Sequence, residues 1–202
     1  MNNNNVENNN EVLNINIEDI EIKYLNKVTD KSFKFQILNL LILSDKEFIP
    51  ALSSRESTTQ TNLSGNSQNE NTNKNVIPYN YYKNILNQSM LVATFENYII
   101  GFMSFKKNYT CEHISEEFLP NLYVSTVIVN SNYRGKGITK LFYKKLNELF
   151  FDHHIFTRTW STNAGHLKIL NSLGFKNTVC LKNDRGENID TVYYMWNANK
   201  KL

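Results

Sequence analysis

Leu122-Tyr123-Val124-Ser125-Thr126-Val127-Ile128-Val129, followed by Asn132-Tyr133-Arg134-Gly135-Lys136-Gly137-Ile138-Thr139, is the stretch on which the fold turns. Its first eight residues are an apolar, β-branched run, suited to a strand buried on both faces. From Ile138 the period changes. Ile138, Leu141, Phe142, Leu146, Leu149 and Phe150 recur at three- and four-residue steps, the stripe of an amphipathic helix. A strand that feeds a glycine turn into a helix leaves several free N–H groups facing one spot. The helix dipole adds partial positive charge there, so an anion, and a pyrophosphate above all, is the natural guest. Gly135 and Gly137, lacking Cβ atoms, allow a close backbone approach.

A plain tight turn is the competing reading. The loop is not a Walker loop, since no Gly-Lys-Ser/Thr follows four spaced residues, and it lacks the three-glycine dinucleotide fingerprint. It resembles the acyl-CoA loop of the GNAT superfamily of N-acetyltransferases, Arg/Gln-x-x-Gly-x-Gly/Ala after an apolar strand. Arg134, Gly137 and Thr139 take its three fixed places, Thr139 departing from the usual small residue. Asn163-Ala164-Gly165-His166-Leu167-Lys168-Ile169-Leu170-Asn171-Ser172-Leu173-Gly174-Phe175 is similar to the segment of that family in which an asparagine opens the last helix and Leu-Gly-Phe ends it. A hairpin around Gly101 and the run Phe48-Ile49-Pro50-Ala51-Leu52-Ser53-Ser54-Arg55 resemble the N-terminal half of bacterial-type members. The resemblance spans about residues 15–197.

The resemblance implies acetyl-CoA as co-substrate. Backbone amides of Arg134, Gly135, Lys136, Gly137, Ile138 and Thr139 would cradle its diphosphate, with Arg134 or Lys136 adding charge. Val127, Ile128 and Val129 would bond the pantetheine like an added strand, and Asn163 would hold its arm. His166 either touches the phosphates or is a solvated helix-face histidine. Many family members carry a tyrosine four residues before the Gly-Phe pair, where this chain has Leu170. An attacking amine must lose a proton, because an alkyl ammonium predominates at neutral pH. Base candidates are His113, Glu116 and Glu117 ahead of the central strand, Tyr123 on it, and Asp190 or Tyr193 on the last strand. Tyr123 and Glu117 are the catalytic candidates among them, and Tyr123 with Trp160 is expected to line the acceptor site. The reaction implied is acetyl transfer to a primary amine, of a small molecule or a protein, by direct attack on the thioester. The alternative is a catalytically inactive GNAT-fold module that binds CoA or a protein partner.

Around this unit the chain reads β, αα, α, β, β, β, α, β, α, β, β. Glu18–Tyr24, Met90–Phe95, Ile99–Lys106, His154–Trp160, Phe175–Leu181 and Ile189–Trp196 are the other strands. Ser32–Leu43, Asp45–Leu52, Tyr79–Gln88 and the stretch after Asn163 are the other helices. The fold class expected is α/β, a mixed and mostly antiparallel sheet with a central parallel βαβ unit. Gly101 inside its strand signals a bulge or a close backbone approach. Residues 1–14 are an asparagine-rich tail expected to be disordered, and 53–75 a polar insertion too poor in apolar residues to pack, Leu63 being its one large apolar side chain.

With 202 residues, 41% of them hydrophobic, the chain can build one domain with a sizeable core. A net charge of +3 falls short of a nucleic-acid surface. Two cysteines make no disulfide framework. Without a signal peptide or bilayer-length apolar run, the chain is expected to be soluble and cytoplasmic, with the nucleus left open, and as monomer or homodimer. No metal site is expected, since Cys111-x-His113 and His153-His154 have no second pair at zinc spacing.

Overall fold

The computed structural model describes residues 16–66 and 76–198. In chain order its elements are β1 (Glu21–Leu25), α1 (Lys31–Ser44), α2 (Tyr79–Leu86), β2 (Ser89–Phe95), β3 (Tyr98–Lys107), β4 (Asn121–Val129), α3 (Ile138–Leu149), β5 (His154–Trp160), α4 (Ala164–Ser172), β6 (Lys176–Leu181) and β7 (Thr191–Trp196). The seven strands form one sheet in the order β1-β2-β3-β4-β5-β7-β6. Every neighbouring pair is antiparallel except β4 with β5. The parallel pair is joined through α3, as the change of period at Ile138 requires.

Helices cover both faces. On one, Ile138, Phe142, Tyr143 and Leu146 of α3 pack with Leu170 of α4 over Leu91, Met103, Phe105, Leu122, Val124 and Ile155. The expected stripe on α3 is rotated. Tyr143 is buried, whereas Leu149 is 41% exposed. On the other face, Ile37, Leu40 and Leu41 of α1 and Tyr81 and Ile85 of α2 pack on Met90, Val92, Phe102 and Ile128. Asp30 caps α1, its carboxylate accepting from the Phe33 amide at 2.8 Å. A third cluster joins Ile114, Tyr123, Phe156 and Tyr193.

Two irregularities shape the centre of the sheet. Ala93 faces Gly101 but Thr94 faces Ile99, so Ile100 is an extra residue in β3. A Cβ on Gly101 would stand 2.8 Å from the Ile128 carbonyl oxygen, so the bulge and the close approach occur together. In the next pair Ser104 faces Thr126 and Phe105 faces Val124, which makes Ser125 an extra residue in β4. Up to Val124 the strand is buried on both faces, as its composition implies. Beyond the bulge Ser125, Val127 and Val129 are only half-buried.

Part of the polar span 53–75 packs, against expectation. Leu63 is fully buried, and Arg55 and Thr58 are 6% and 2% exposed. The Asp45 carboxylate accepts from the Ser53 amide and hydroxyl, Arg55 donates to the Pro50 carbonyl, and Gln88 donates to Thr58 Oγ1. Polar side chains are tolerated there because hydrogen bonds satisfy them on burial. The tail 1–14 and residues 67–75 of the insertion, expected from composition to be disordered and loose, lie outside the described residues. Among the described residues no helix is long and apolar enough to cross a membrane, and no group of three or more potential ligands is placed to hold a metal ion.

Candidate functional site

The parallel pairing of β4 with β5 runs from Asn121–His154 to Val124–Thr157 and ends there. Past it, β5 stays with β7 through Trp160, and β4 stays with β3 through Val129. The two strands diverge at the Ser125 bulge. The half of β4 beyond Ser125 is thereby left without a strand partner on its β5 side. Bulges bend a strand and interrupt its ladder, which accounts for the parting. Between the arms lies a cleft of about 760 Å³, lined by Thr126–Val129 on β4, Thr157–Trp160 on β5, the turn from Tyr133 to Lys140, Asn163 and His166 of the last helix, and Glu47 and Phe48. An unpaired strand edge offers alternating N–H and C=O groups to an extended ligand.

The turn sits at one end of this cleft. Gly135 and Gly137 have φ of +77° and +82°, the left-handed region that glycine enters without strain. Gly137 is the N-cap of α3 and has no side chain to bond the first amides of the helix. A Cβ on Gly135 would have no heavy atom within 4 Å, and one on Gly137 would meet only Ile17 Cδ1 at 3.6 Å. Open space in front of an uncapped helix start fits an anionic group. Arg134, from the same turn, also lines the cleft. Its Nε donates to the Val129 carbonyl at 2.9 Å and its Nη2 lies 2.6 Å from Glu47 Oε2.

Asn163 caps α4 by accepting from the His166 amide, and donates to Thr159 Oγ1 at 3.0 Å. His166 is half-buried, its Nε2 3.0 Å from the Tyr143 hydroxyl. Burial pulls its imidazole down to about 4, so it is neutral at pH 7. Tyr143 is fully buried, and burial raises its phenol. Leu170 is buried in the core between α4 and the sheet.

Phe48 and Trp160, also in the lining, form an aromatic wall with ring centroids 5.7 Å apart. Arg55 lies against Phe48 at 5.6 Å and Arg185 against Trp160 at 5.7 Å. Arg158 lines the cleft between them in sequence, donating to the carbonyls of Thr58 and Gln60 and to the Tyr193 hydroxyl. Arg185 donates to the Ile49 carbonyl and to Thr191 Oγ1. Burial, then the neighbouring Arg55 and Arg158, pulls Arg185 down to about 9. Burial and Arg158 likewise lower Lys106. Arg185 remains a cation at neutral pH.

The residues singled out in the sequence therefore divide. Val127, Ile128, Val129, Arg134, Gly135, Gly137, Ile138, Thr139, Asn163 and His166 all line the cleft, with Trp160. Lys136 stands in the same turn. Tyr123 is 1% exposed and packs against Tyr109 at 4.6 Å in the third cluster, so it is not among the lining residues. Burial raises its phenol as well. Glu117 lies on an exposed 3-10 turn, Glu116–Phe118, away from the cleft. Odd-numbered residues of a strand share a face, and Tyr123 precedes the bulge while Ser125 is the bulge, so alternation could not carry Tyr123 into the cleft. Glu47, Arg55, Arg158 and Arg185 were not anticipated. Arg55 ends a run that the sequence does mark, but nothing local joins it to Arg158 and Arg185.

A model of the acetyltransferase (GNAT) family matches residues 61–175. No curated protein matches the chain. Among solved structures, an N-acetyltransferase from Staphylococcus aureus superposes with a TM-score of 0.60 at 12% identity, covering 89% of this chain and 99% of its own. A ribosomal-protein-alanine N-acetyltransferase from Brucella melitensis gives 0.56 at 19%, covering 90% and 99%. The Salmonella typhimurium protein yncA, solved with its cofactor acetyl-CoA, gives 0.55 at 17%, covering 91% and 96%. At these identities the likeness is one of fold.

Proposed function

The chain belongs to the acetyltransferase (GNAT) family, and on that premise we propose that it is an acetyl-CoA-dependent N-acetyltransferase acting on a primary amine. The observation that carries this reading is the opening of β4 from β5 after Val124–Thr157, continuous with the glycine turn at the start of α3. The residues present fit acetyl-CoA. The uncapped amides after Gly137 suit the diphosphate, and the free edge from Val127 to Val129 suits the amide-bearing pantetheine.

When bound, acetyl-CoA supplies an acetyl group activated as a thioester. The amine nitrogen forms a C–N bond to the acetyl carbon as the C–S bond breaks, and overall one proton passes from nitrogen to sulfur. This chain's part is to hold the reactants in line and to exclude water. An unpaired β4 amide is the donor available to the carbonyl oxygen as it gains charge. Among the described lining residues, Glu47 is the carboxylate, engaged with Arg134, and His166 is a neutral imidazole that can accept or pass a proton.

The second reading, binding without turnover, is favoured by Leu170, an apolar and buried side chain at the position where many family members carry a tyrosine. Calorimetric titration of acetyl-CoA, followed by thiol release with a panel of primary amines, separates the two. Binding with thiol release establishes the enzyme. Binding without it establishes the module, and no binding sinks both.

A further inference from the structure

We infer that the amine acceptor carries an anionic group, a carboxylate or a phosphate, which the cleft receives at Arg158. This rests on the transferase reading above and names the class of its acceptor. Arg158 is the member of a buried cationic cluster that reaches the cleft wall. Arg55 and Arg185, 6% and 3% exposed, stand behind the aromatic pair Phe48 and Trp160, and Lys106 lies close enough for Arg158 to lower it. Glu47 of the same cleft is engaged with Arg134, and the remaining carboxylates that act on these basic groups are Asp45 and Asp184.

Neither carboxylate neutralises a guanidinium directly. Asp45 accepts from Ser53, and Asp184 from the Asn62 amide and the Thr191 hydroxyl. Among the described residues no ion pair within 4 Å links them to Arg55, Arg158 or Arg185. The three guanidinium groups bond instead to neutral backbone carbonyls, to hydroxyls and to ring faces. Those contacts satisfy N–H groups but leave charge uncompensated, and burying uncompensated charge is costly. Arg158 Nε also has no acceptor among the described residues. An anion brought into the cleft beside it supplies the missing charge and a charge-assisted bond in a water-poor setting, where both are strongest. A cationic acceptor such as a polyamine meets repulsion in the same place.

The test needs no mutation at its first stage. Thiol release from acetyl-CoA is followed with matched acceptors: L-amino acids against their carboxamides and decarboxylated amines, and O-phosphoethanolamine against ethanolamine and spermidine. Expected is kcat/KM higher for the charged member by roughly tenfold to a hundredfold, the range of one charge-assisted contact. The amino-acid and phosphate arms tell which anion is meant. Arg158→Gln should erase the preference through the acceptor KM, with acetyl-CoA binding by calorimetry unchanged. Arg158→Lys, which keeps the charge, should retain part of it and guards against a variant that fails to fold. Equal or better use of the neutral or cationic members, or no use of any anionic one, overturns the inference. Calorimetry then reports separately whether acetyl-CoA binds, and so whether the transferase reading falls with it.

Discussion

The Arg134 guanidinium lies 2.6 Å from the Glu47 carboxylate and, through Nε, 2.9 Å from the Val129 carbonyl. The residue that the sequence offers as a phosphate contact thus ties the end of β4 and the glycine turn to the segment after α1. Both partners of the pair are 46% exposed, so its direct share of stability is small, at most about 1 kcal/mol. Arg134→Ala should leave the melting temperature nearly unchanged yet weaken acetyl-CoA binding by roughly tenfold, the loss of one charged contact. Glu47→Gln should do less to affinity. Calorimetry and thermal melts on both variants measure this, and a large stability loss in either would show the pair to be structural.

Gly137→Glu is expected to remove detectable acetyl-CoA binding. Its side chain enters the open space before α3, and its charge repels the diphosphate. The positive φ of +82° adds strain, of about 1–2 kcal/mol, visible as a modest fall in melting temperature. If the turn is only a turn, the melt falls and the affinity does not.

Leu63→Ala should destabilise the protein by about 2–4 kcal/mol, the usual cost of a cavity in a closed site. The side chain is fully buried although its neighbours are almost all polar. Chemical denaturation gives the number. A change under about 0.5 kcal/mol, typical of surface sites, would restore the view of this stretch as dispensable.

The pH dependence has a definite sign at His166. Its folded-state value is about 4, below the usual 6.5 of an unfolded histidine. The unfolded chain therefore binds more protons between the two, and stability rises with pH there. The contribution is complete above about pH 6.5 and is lost as pH falls toward 4, on the order of 1–3 kcal/mol. His166→Gln should flatten the slope in that window. Denaturation midpoints at pH 4, 5, 6 and 7 for both proteins test it, and parallel curves would remove His166 as the cause.

The sequence by itself determined the place of the glycine turn and the order of elements, except that the helix expected over Asp45–Leu52 is replaced by the 3-10 turns Asp45–Glu47 and Leu52–Ser54. The apolar, β-branched run from Leu122 to Val129, the change of period at Ile138 and the cap at Asn163 are local signals, each complete within a few residues, and β5 matches its expected bounds from His154 to Trp160. The tertiary structure decided where the cleft opens and what faces it. The Ser125 bulge arises from the register of β3 against β4, residues far apart in the chain, and it parts β4 from β5. The same long-range packing buries Tyr123 against Tyr109 and leaves Glu117 outside. It also gathers Arg55, Arg158 and Arg185 from three separate segments. No periodicity marks such a gathering, because a local pattern records which face of an element is buried and not which charges other elements bring to it.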